Sequence, residues 1–159
     1  MRKKSASRIS MFATPLVIAG TFLASSVAAS AHPDDDGVCS NRTLQGDYGF
    51  AVEGLILPAP GVSVPVRGLH ITHFDGRGNL TQFDSILANG GPISDWTPVT
   101  GTYHVDANCT GTMLLHPSNG GFVNLRFVVV KNGKEIHAIV WPPFDGPART
   151  ATSVGTKIE

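Results

Sequence analysis

Six side chains that can recognise a small molecule fall on one face of neighbouring predicted strands. They are His104, His116, Asn124, Arg126, His137 and Trp141. Side chains two residues apart on a strand point to the same side of a sheet, so alternation groups them. Imidazole, guanidinium and amide groups beside an indole ring are the mixture that small-molecule sites use, and His and Arg side chains can perform acid–base chemistry. We call these six residues the histidine face.

Two interpretations of the histidine face stay open at this stage. The opposite face of the same strands is almost wholly apolar and must pack against something: Tyr103, Val105, Met113, Leu115, Val123, Leu125, Phe127, Val129, Ile136, Ala138 and Val140. Either the histidine face is the solvated outside, or it lines a cavity while a helix, a second layer or a partner subunit covers the apolar face. Arg126 distinguishes best between the two, because it lies within the most apolar run of the mature chain, 122–130.

No common catalytic or cofactor motif occurs, and no cofactor or metal is predicted. The chain has no G-x-S-x-G, HExxH, P-loop or dinucleotide fingerprint. His70 and His73 are three residues apart on one predicted strand, so they point to opposite faces and make a poor metal pair. One alternative is His32, which becomes the mature N-terminus if cleavage follows Ala31. Together with His104, His116 or His137 it resembles the N-terminal copper brace of secreted copper oxygenases.

Residues 1–31 have the composition of a signal peptide. A basic start with Arg2, Lys3, Lys4 and Arg8 precedes an apolar stretch, 11–29, and Ala29-Ser30-Ala31 offers a cleavage site. Cleavage after Ala29 is the alternative. Pro15 and Gly20 interrupt the apolar stretch, which argues against a membrane anchor. The sequence therefore predicts a secreted or periplasmic protein with one mature domain, 32–159, and no membrane span after processing.

Charge and cysteine usage restrict the partners and the compartment. The chain has 12 basic and 12 acidic residues, and four of the basic ones lie in the leader, so residues 32–159 carry a formal charge of 8 − 12 = −4. This balance argues against nucleic acid as a partner. Cys39 and Cys109 are the two cysteines of the chain, and in an oxidising compartment they predict a disulfide. The alternative is a reactive thiol.

The rest of the chain predicts an all-β domain. Alternating, β-branched and aromatic segments recur at 47–56, 66–74, 80–87, 102–105, 110–116, 122–130, 135–141 and 148–157. Asn132-Gly133 is a specific hairpin signal. Pro58, Pro60 and Pro65 predict a loop or a broken edge strand over 57–65. The segment 93–98 is predicted irregular, and Pro142-Pro143 is expected to end a strand. About eight antiparallel strands in a domain of this size favour a closed barrel, which removes exposed edges.

Three segments carry a resemblance to known proteins. They are Gly46-Asp47-Tyr48-Gly49-Phe50, the run FDGRGNL at 74–80, and GTYHV at 101–105 with NCTGT at 108–112. This pattern is similar to a family of small exported bacterial proteins of unassigned function. By looser analogy the architecture resembles calycin and allene-oxide-cyclase barrels, which bind or cyclise apolar small molecules in the lumen.

These observations lead to one functional prediction and two alternatives. We expect a secreted β-barrel that binds a small apolar or amphipathic molecule. A lumenal isomerase or cyclase using His and Arg side chains is the first alternative, so enzymatic activity stays open. A non-catalytic envelope structural or interaction protein is the second. The oligomeric state is not predicted.

Overall fold

Eight antiparallel strands follow one another around a closed barrel in chain order, and β1 completes the ring by pairing with β8. The computed structural model describes residues 38–159. A single turn of 3₁₀-helix, Asn41–Leu44, precedes the barrel. The strands are β1 Gly46–Ala59, β2 Val62–Phe74, β3 Asn79–Ala88, β4 Gly91–Val105, β5 Thr110–Pro117, β6 Val123–Val130, β7 Glu135–Phe144 and β8 Ala148–Lys157. The prediction of an antiparallel barrel of about eight strands is confirmed.

The connections have the turn chemistry that the sequence indicates. Lys134 N–H donates to the Lys131 carbonyl at 3.2 Å across Asn132 and Gly133, whose φ angles are 54° and 81°. Positive φ at both central residues is the type I′ geometry that suits the twist of a hairpin. Every strand therefore has a hydrogen-bonded neighbour on each side, and the ring leaves no edge strand.

The proline-rich segment 57–65 is strand except for the turn at 60–61, and it lies in a closed barrel, which corrects the prediction of a loop or a broken edge strand. β1 runs to Ala59 and β2 begins at Val62, with a register shift between Ile56 and Ala59. Proline lacks a backbone N–H and is therefore tolerated only where no neighbour needs that donor. Pairing of β2 with β3 begins at Val66, so Pro65 lies beyond it. Pairing of β1 with β8 ends at Leu57, so Pro58 lies just past the part of β1 that pairs with β8.

Two further boundary predictions are wrong for a similar reason. The segment 93–98 belongs to β4 and pairs with β3 across register shifts near Ile86, which disturb the alternation on which the sequence reading depends. β7 continues past Pro142 and Pro143 to Phe144, which pairs with Val123. The pairing of β7 with β8 ends at Ile139, so the prolines lie where β8 requires no donor.

The two ends of the barrel differ. The capped end contains the turns 75–78, 106–109 and 131–134 together with the 3₁₀ turn, and its interior side chains Leu44, Tyr48, Phe74 and Ile136 are fully buried. The open end contains the turns 60–61, 89–90, 118–122 and 145–147. Tyr48 meets Phe74 edge-on at 5.3 Å between ring centroids, and Phe74 meets Tyr103 at 4.9 Å. The aromatic packing at the capped end therefore forms the core.

A disulfide between Cys39 and Cys109 ties the N-terminal segment to the β4–β5 turn at the capped end. The Cys39 N–H also donates to the Ala107 carbonyl at 3.2 Å, and the Cys109 carbonyl accepts from Val129 N–H at 2.8 Å. The predicted disulfide is confirmed. No free cysteine remains among residues 38–159, so the reactive-thiol alternative is not supported there.

Candidate functional site

The histidine face lies on the outside of the barrel. His104, His116, Arg126, His137 and Trp141 are exposed and Asn124 is half-buried. The apolar face curls around the barrel axis and packs against itself, so it needs no second layer, and the opposite face turns to solvent. This corrects the interpretation in which these six residues line a cavity.

The exposed members of this face form local pairs and do not converge on a pocket. The Arg126 guanidinium stacks 4.0 Å from the centre of the Trp141 ring. The Asn124 amide donates to the Pro143 carbonyl at 2.7 Å. His137 Nε2 lies 2.7 Å from Glu135, and His104 Nε2 lies 3.2 Å from Asp106. Exposed pairs of this kind contribute little to stability because water and salt screen them.

The predicted signal peptide, 1–31, and His32 lie outside the described residues, so the leader and the copper alternative stay predictions. Within residues 38–159, no cluster of three or more His, Cys, Asp or Glu side chains is arranged to hold a metal ion. In the same part of the chain no helix is long and apolar enough to span a membrane.

A cavity of about 470 Å³ occupies the open half of the barrel. Its volume is within the range of small-molecule sites, and an eight-stranded barrel has an interior just wide enough to hold one small ligand when side chains leave it free. The wall is mostly aliphatic: Val52, Ile56, Val66, Leu115, Leu125 and Val140. These side chains belong to the apolar face or to the inward positions of β1 and β2.

A hydrogen-bonded polar network lies on the side of the cavity formed by β2 and β3. Thr72 Oγ1 donates to Gln82 Oε1 at 2.6 Å, and Gln82 Nε2 donates to Asp84 Oδ1 at 2.6 Å. Asp84 Oδ1 is also 2.8 Å from His70 Nδ1. His70 pairs with Asp84 and Thr72 with Gln82 directly across the two strands, so register alone brings the four side chains together.

His70 and Asp84 both line the cavity, and their side chains are only 13% and 16% exposed. The His70 ring packs edge-on against Phe50, with ring centroids 6.4 Å apart. Because the carboxylate can only accept, the proton of a neutral His70 belongs on Nδ1, which leaves Nε2 as an acceptor. Within the described chain Nε2 has no hydrogen-bond partner, so it is available to a ligand.

Arg149 supplies the cationic group at the rim of the cavity. Its Nη2 donates to the Asp145 carbonyl at 2.6 Å and its Nε to the Pro147 carbonyl at 3.4 Å. The guanidinium also lies 5.3 Å from the centre of the Phe144 ring. The residue is half-buried, and within residues 38–159 no carboxylate oxygen approaches it to 4.0 Å.

Sequence reasoning did not identify these cavity residues. The sequence suggests only a metal-ligand role for His70, and a poor one. The predicted orientation of His70 opposite to His73 is confirmed, because His70 faces the interior and His73 is exposed. Both faces of β2 and β3 contain large apolar residues, and the outward set includes Leu69, Ile71 and Phe83 at 58%, 44% and 49% exposed. The sequence contains one signal for His70. His70 and Thr72 lie four and two residues before the core residue Phe74, so all three side chains point to the same face of β2.

Comparison with known proteins adds little to this geometry. No protein-family model and no curated protein matches the chain. The resemblance to small exported proteins of unassigned function therefore stays a prediction. Among solved structures, the chain is similar to a de novo designed fluorescence-activating β-barrel, at 10% identity and a TM-score of 0.48, covering 74% of this chain and 96% of the other. A likeness of this size carries no inference about a ligand.

Proposed function

We propose that the protein binds a small apolar or amphipathic molecule in the open half of the barrel. The observation that carries this proposal is the cavity of about 470 Å³ with an aliphatic wall and a few oriented polar groups. Apolar walls supply the free energy of transfer from water, and a small number of placed polar groups supply orientation. Export of the protein is part of this proposal, because the predicted leader and the disulfide both fit an oxidising compartment.

The experiment compares two substitutions on adjacent residues of β7. Val140 lines the cavity, whereas Ile139 lies on the outer surface at 42% exposed. Binding of the neutral fluorophore phenylnaphthylamine is titrated with the native protein, Val140→Trp and Ile139→Trp. We expect the inner tryptophan to reduce affinity by tenfold or more and the outer one to leave it within twofold. Equal affinities in the two variants, or no binding by the native protein, would contradict the proposal.

A second pair keeps the test informative if Val140→Trp does not fold. Val52 lines the cavity and its neighbour Ala51 is exposed on the outer face of β1. Val52→Phe should weaken binding of the fluorophore, and Ala51→Phe should not. Native mass spectrometry of protein purified from the periplasm or the medium would in addition reveal a retained ligand.

A lumenal isomerase or cyclase is the second candidate, and the His70–Asp84 pair favours it. A carboxylate that orients an imidazole, with the other ring nitrogen free, is an arrangement that can move a proton. The residues differ from the histidines expected from the sequence. If a ligand recovered from the native protein is converted on incubation, and His70→Phe binds it without converting it, the enzyme is favoured. An unchanged ligand favours the binding protein, and the absence of any ligand or probe binding favours an envelope structural or interaction protein.

A further inference from the structure

The rim of the cavity contains the Arg149 guanidinium, which forms no ion pair with a described side chain, although Asp145 also lines the cavity. Both hydrogen bonds of Arg149 go to backbone carbonyls, which orient the guanidinium without cancelling its charge. Asp145 is the acidic residue nearest in sequence, but its side chain is directed at Gly121 and forms no ion pair with Arg149. A half-buried guanidinium with free donors is a strong partner for a planar anion such as a carboxylate.

At the inner end, the free polar atoms are acceptors. Gln82 and His70 both contact Oδ1 of Asp84, so Oδ2 of this carboxylate has no partner among the described residues. In the neutral ring, Nε2 of His70 is a second free acceptor, and a hydroxyl group on a ligand matches either atom. Because the two side chains are mostly buried and are bonded to each other, these acceptors are held in place before a ligand arrives.

The strand register sets the separation of the backbone positions that carry these two groups. His70 is the β2 partner of Phe50, and Arg149 is the β8 partner of Ile56. Phe50 and Ile56 are six residues apart on β1, which corresponds to roughly 20 Å along the strand. Between them the wall is aliphatic, with Val52, Val66 and Val140 among its members. The wall between the two groups is thus mostly aliphatic, and the hydroxyl-bearing residue Ser153, the β8 partner of Val52, also lines it.

On the basis of the proposed function, we propose that the ligand is an elongated amphiphile, with its acidic group on Arg149 at the rim and a hydroxyl group on His70 at the inner end. An aliphatic or aromatic body fills the wall region between the two. This arrangement orients the ligand, because exchanging its ends would place an anion beside Asp84 and leave Arg149 without a partner.

The rim is tested with dodecanoate and dodecanol as competitors of phenylnaphthylamine. Arg149→Gln should weaken dodecanoate by about tenfold, as expected for a charge-assisted hydrogen bond, and leave dodecanol within twofold. Arg126→Gln is the matched control, because Arg126 is an exposed arginine of the outer surface. Equal weakening of both competitors, or of neither, would overturn the rim assignment. Retained binding of the fluorophore in that case would leave the proposed function intact.

The inner end is tested with ω-hydroxydodecanoate against dodecanoate. We expect the native protein to prefer the hydroxylated competitor and His70→Phe to lose that preference, while His137→Phe on the outer surface keeps it. Since His70→Phe leaves Asp84 with Gln82 as its one remaining side-chain partner, the double variant His70→Phe, Asp84→Asn removes the mostly buried charge as well and is measured in parallel. No preference in the native protein, or a preference that survives in both variants, would overturn the assignment of His70.

If phenylnaphthylamine binds the native protein but none of the three dodecyl compounds displaces it, the amphiphile proposal fails and the binding cavity stands. If the fluorophore itself does not bind, the proposed function fails first. The two failures are therefore distinguishable in the same titration.

Discussion

The capped and open ends of the barrel are made by the same eight strands but differ in what fills them. At the capped end Leu44, Tyr48, Phe74 and Ile136 have no exposed surface, and a disulfide and a 3₁₀ turn cover the opening. At the open end the interior positions leave a cavity of about 470 Å³. Close packing recovers dispersion and hydrophobic free energy that an unfilled cavity forgoes.

A small barrel can combine stability with a binding cavity by assigning them to opposite ends. A well-packed end can stabilise the whole ring, because strands that are hydrogen-bonded along their length transmit the constraint to the other end. The open half can then contain a cavity with an aliphatic wall and a polar network. The stability that this unfilled space costs is offset by the close packing of the capped end. Substitutions at the capped end should therefore change the free energy of unfolding and leave binding in the cavity unchanged.

The largest effect is expected from the disulfide. Cys39 and Cys109 are separated by 70 residues, and a cross-link over a loop of that size contributes roughly 4 kcal/mol by the loop-entropy estimate. The double variant Cys39→Ser, Cys109→Ser should lose about that much free energy of unfolding in urea. Reduction of the native protein should reproduce the loss. Fluorophore binding by the fraction that remains folded should be unchanged, and a loss of binding in folded protein would contradict the separation of the two ends.

A second effect appears at alkaline pH. Burial raises the pKa of Tyr48 to about 12, and the pKa of Tyr103 is also raised by burial. The Tyr48 hydroxyl donates to the Gly133 carbonyl. A raised pKa means that the native state favours the neutral phenol. The contribution of Tyr48 to the free energy of unfolding is therefore complete below pH 10 and is lost as pH rises through about 12. A shift of this size corresponds to roughly 3 kcal/mol.

Tyr48→Phe provides the measurement. The variant should be less stable than the native protein at neutral pH by about 1 kcal/mol, because it lacks one hydrogen bond. It should lose less stability than the native protein between pH 10 and 12, with Tyr103 accounting for the remainder. Parallel stability curves for the two proteins across this window would show that Tyr48 is not the titrating group.

A matched pair of glycine substitutions compares the packing of the two ends directly. Gly133 at the capped end and Gly90 at the open end have φ angles of 81° and 77°, so an alanine at either position costs about 1 kcal/mol of backbone strain. An added Cβ at Gly133 would lie 2.4 Å from the Thr43 carbonyl oxygen, whereas at Gly90 nothing lies within 4 Å. Gly133→Ala should therefore cost about 2 kcal/mol more than Gly90→Ala, since overpacking adds to the strain. Equal urea midpoints for the two variants would contradict this prediction, because they would mean that the 3₁₀ turn moves away from the added methyl group at little cost in free energy.

The smallest effect is expected at acid pH, in the β2–β3 turn of the capped end. The Asn79 side chain, followed by the backbone N–H groups of Asn79 and Arg77, lowers the pKa of Asp75 to about 2. A lowered pKa means that the native state favours the carboxylate, so this contribution is present above the ordinary pKa of 3.8 and is lost as pH falls through about 2. The stability difference between the native protein and Asp75→Asn should shrink over that interval. A difference that is constant from pH 5 to 2 would contradict this assignment.

The local features of this protein can be predicted from its amino-acid sequence alone. Strand periodicity, the Asn132-Gly133 turn and the two faces of β4 to β7 follow from residues within a few positions of one another, because alternation and turn dihedrals are local properties. The pairing of two cysteines in an oxidising compartment requires no geometry at all when the chain has two. These features were predicted and are found in the barrel.

Tertiary structure decided everything that depends on a distant neighbour. Whether Pro65 or Pro142 ends a strand depends on whether the neighbouring strand still pairs with it at that position and needs a backbone N–H donor there. Which face is interior depends on closure between β1 and β8, whose paired residues are about 100 positions apart. On β2 and β3 both faces are apolar enough to be buried, so hydropathy could not choose between them, and only closure directed His70 and Asp84 inward. For that reason the candidate site lies on the interior face and not on the face where the sequence concentrated its histidines.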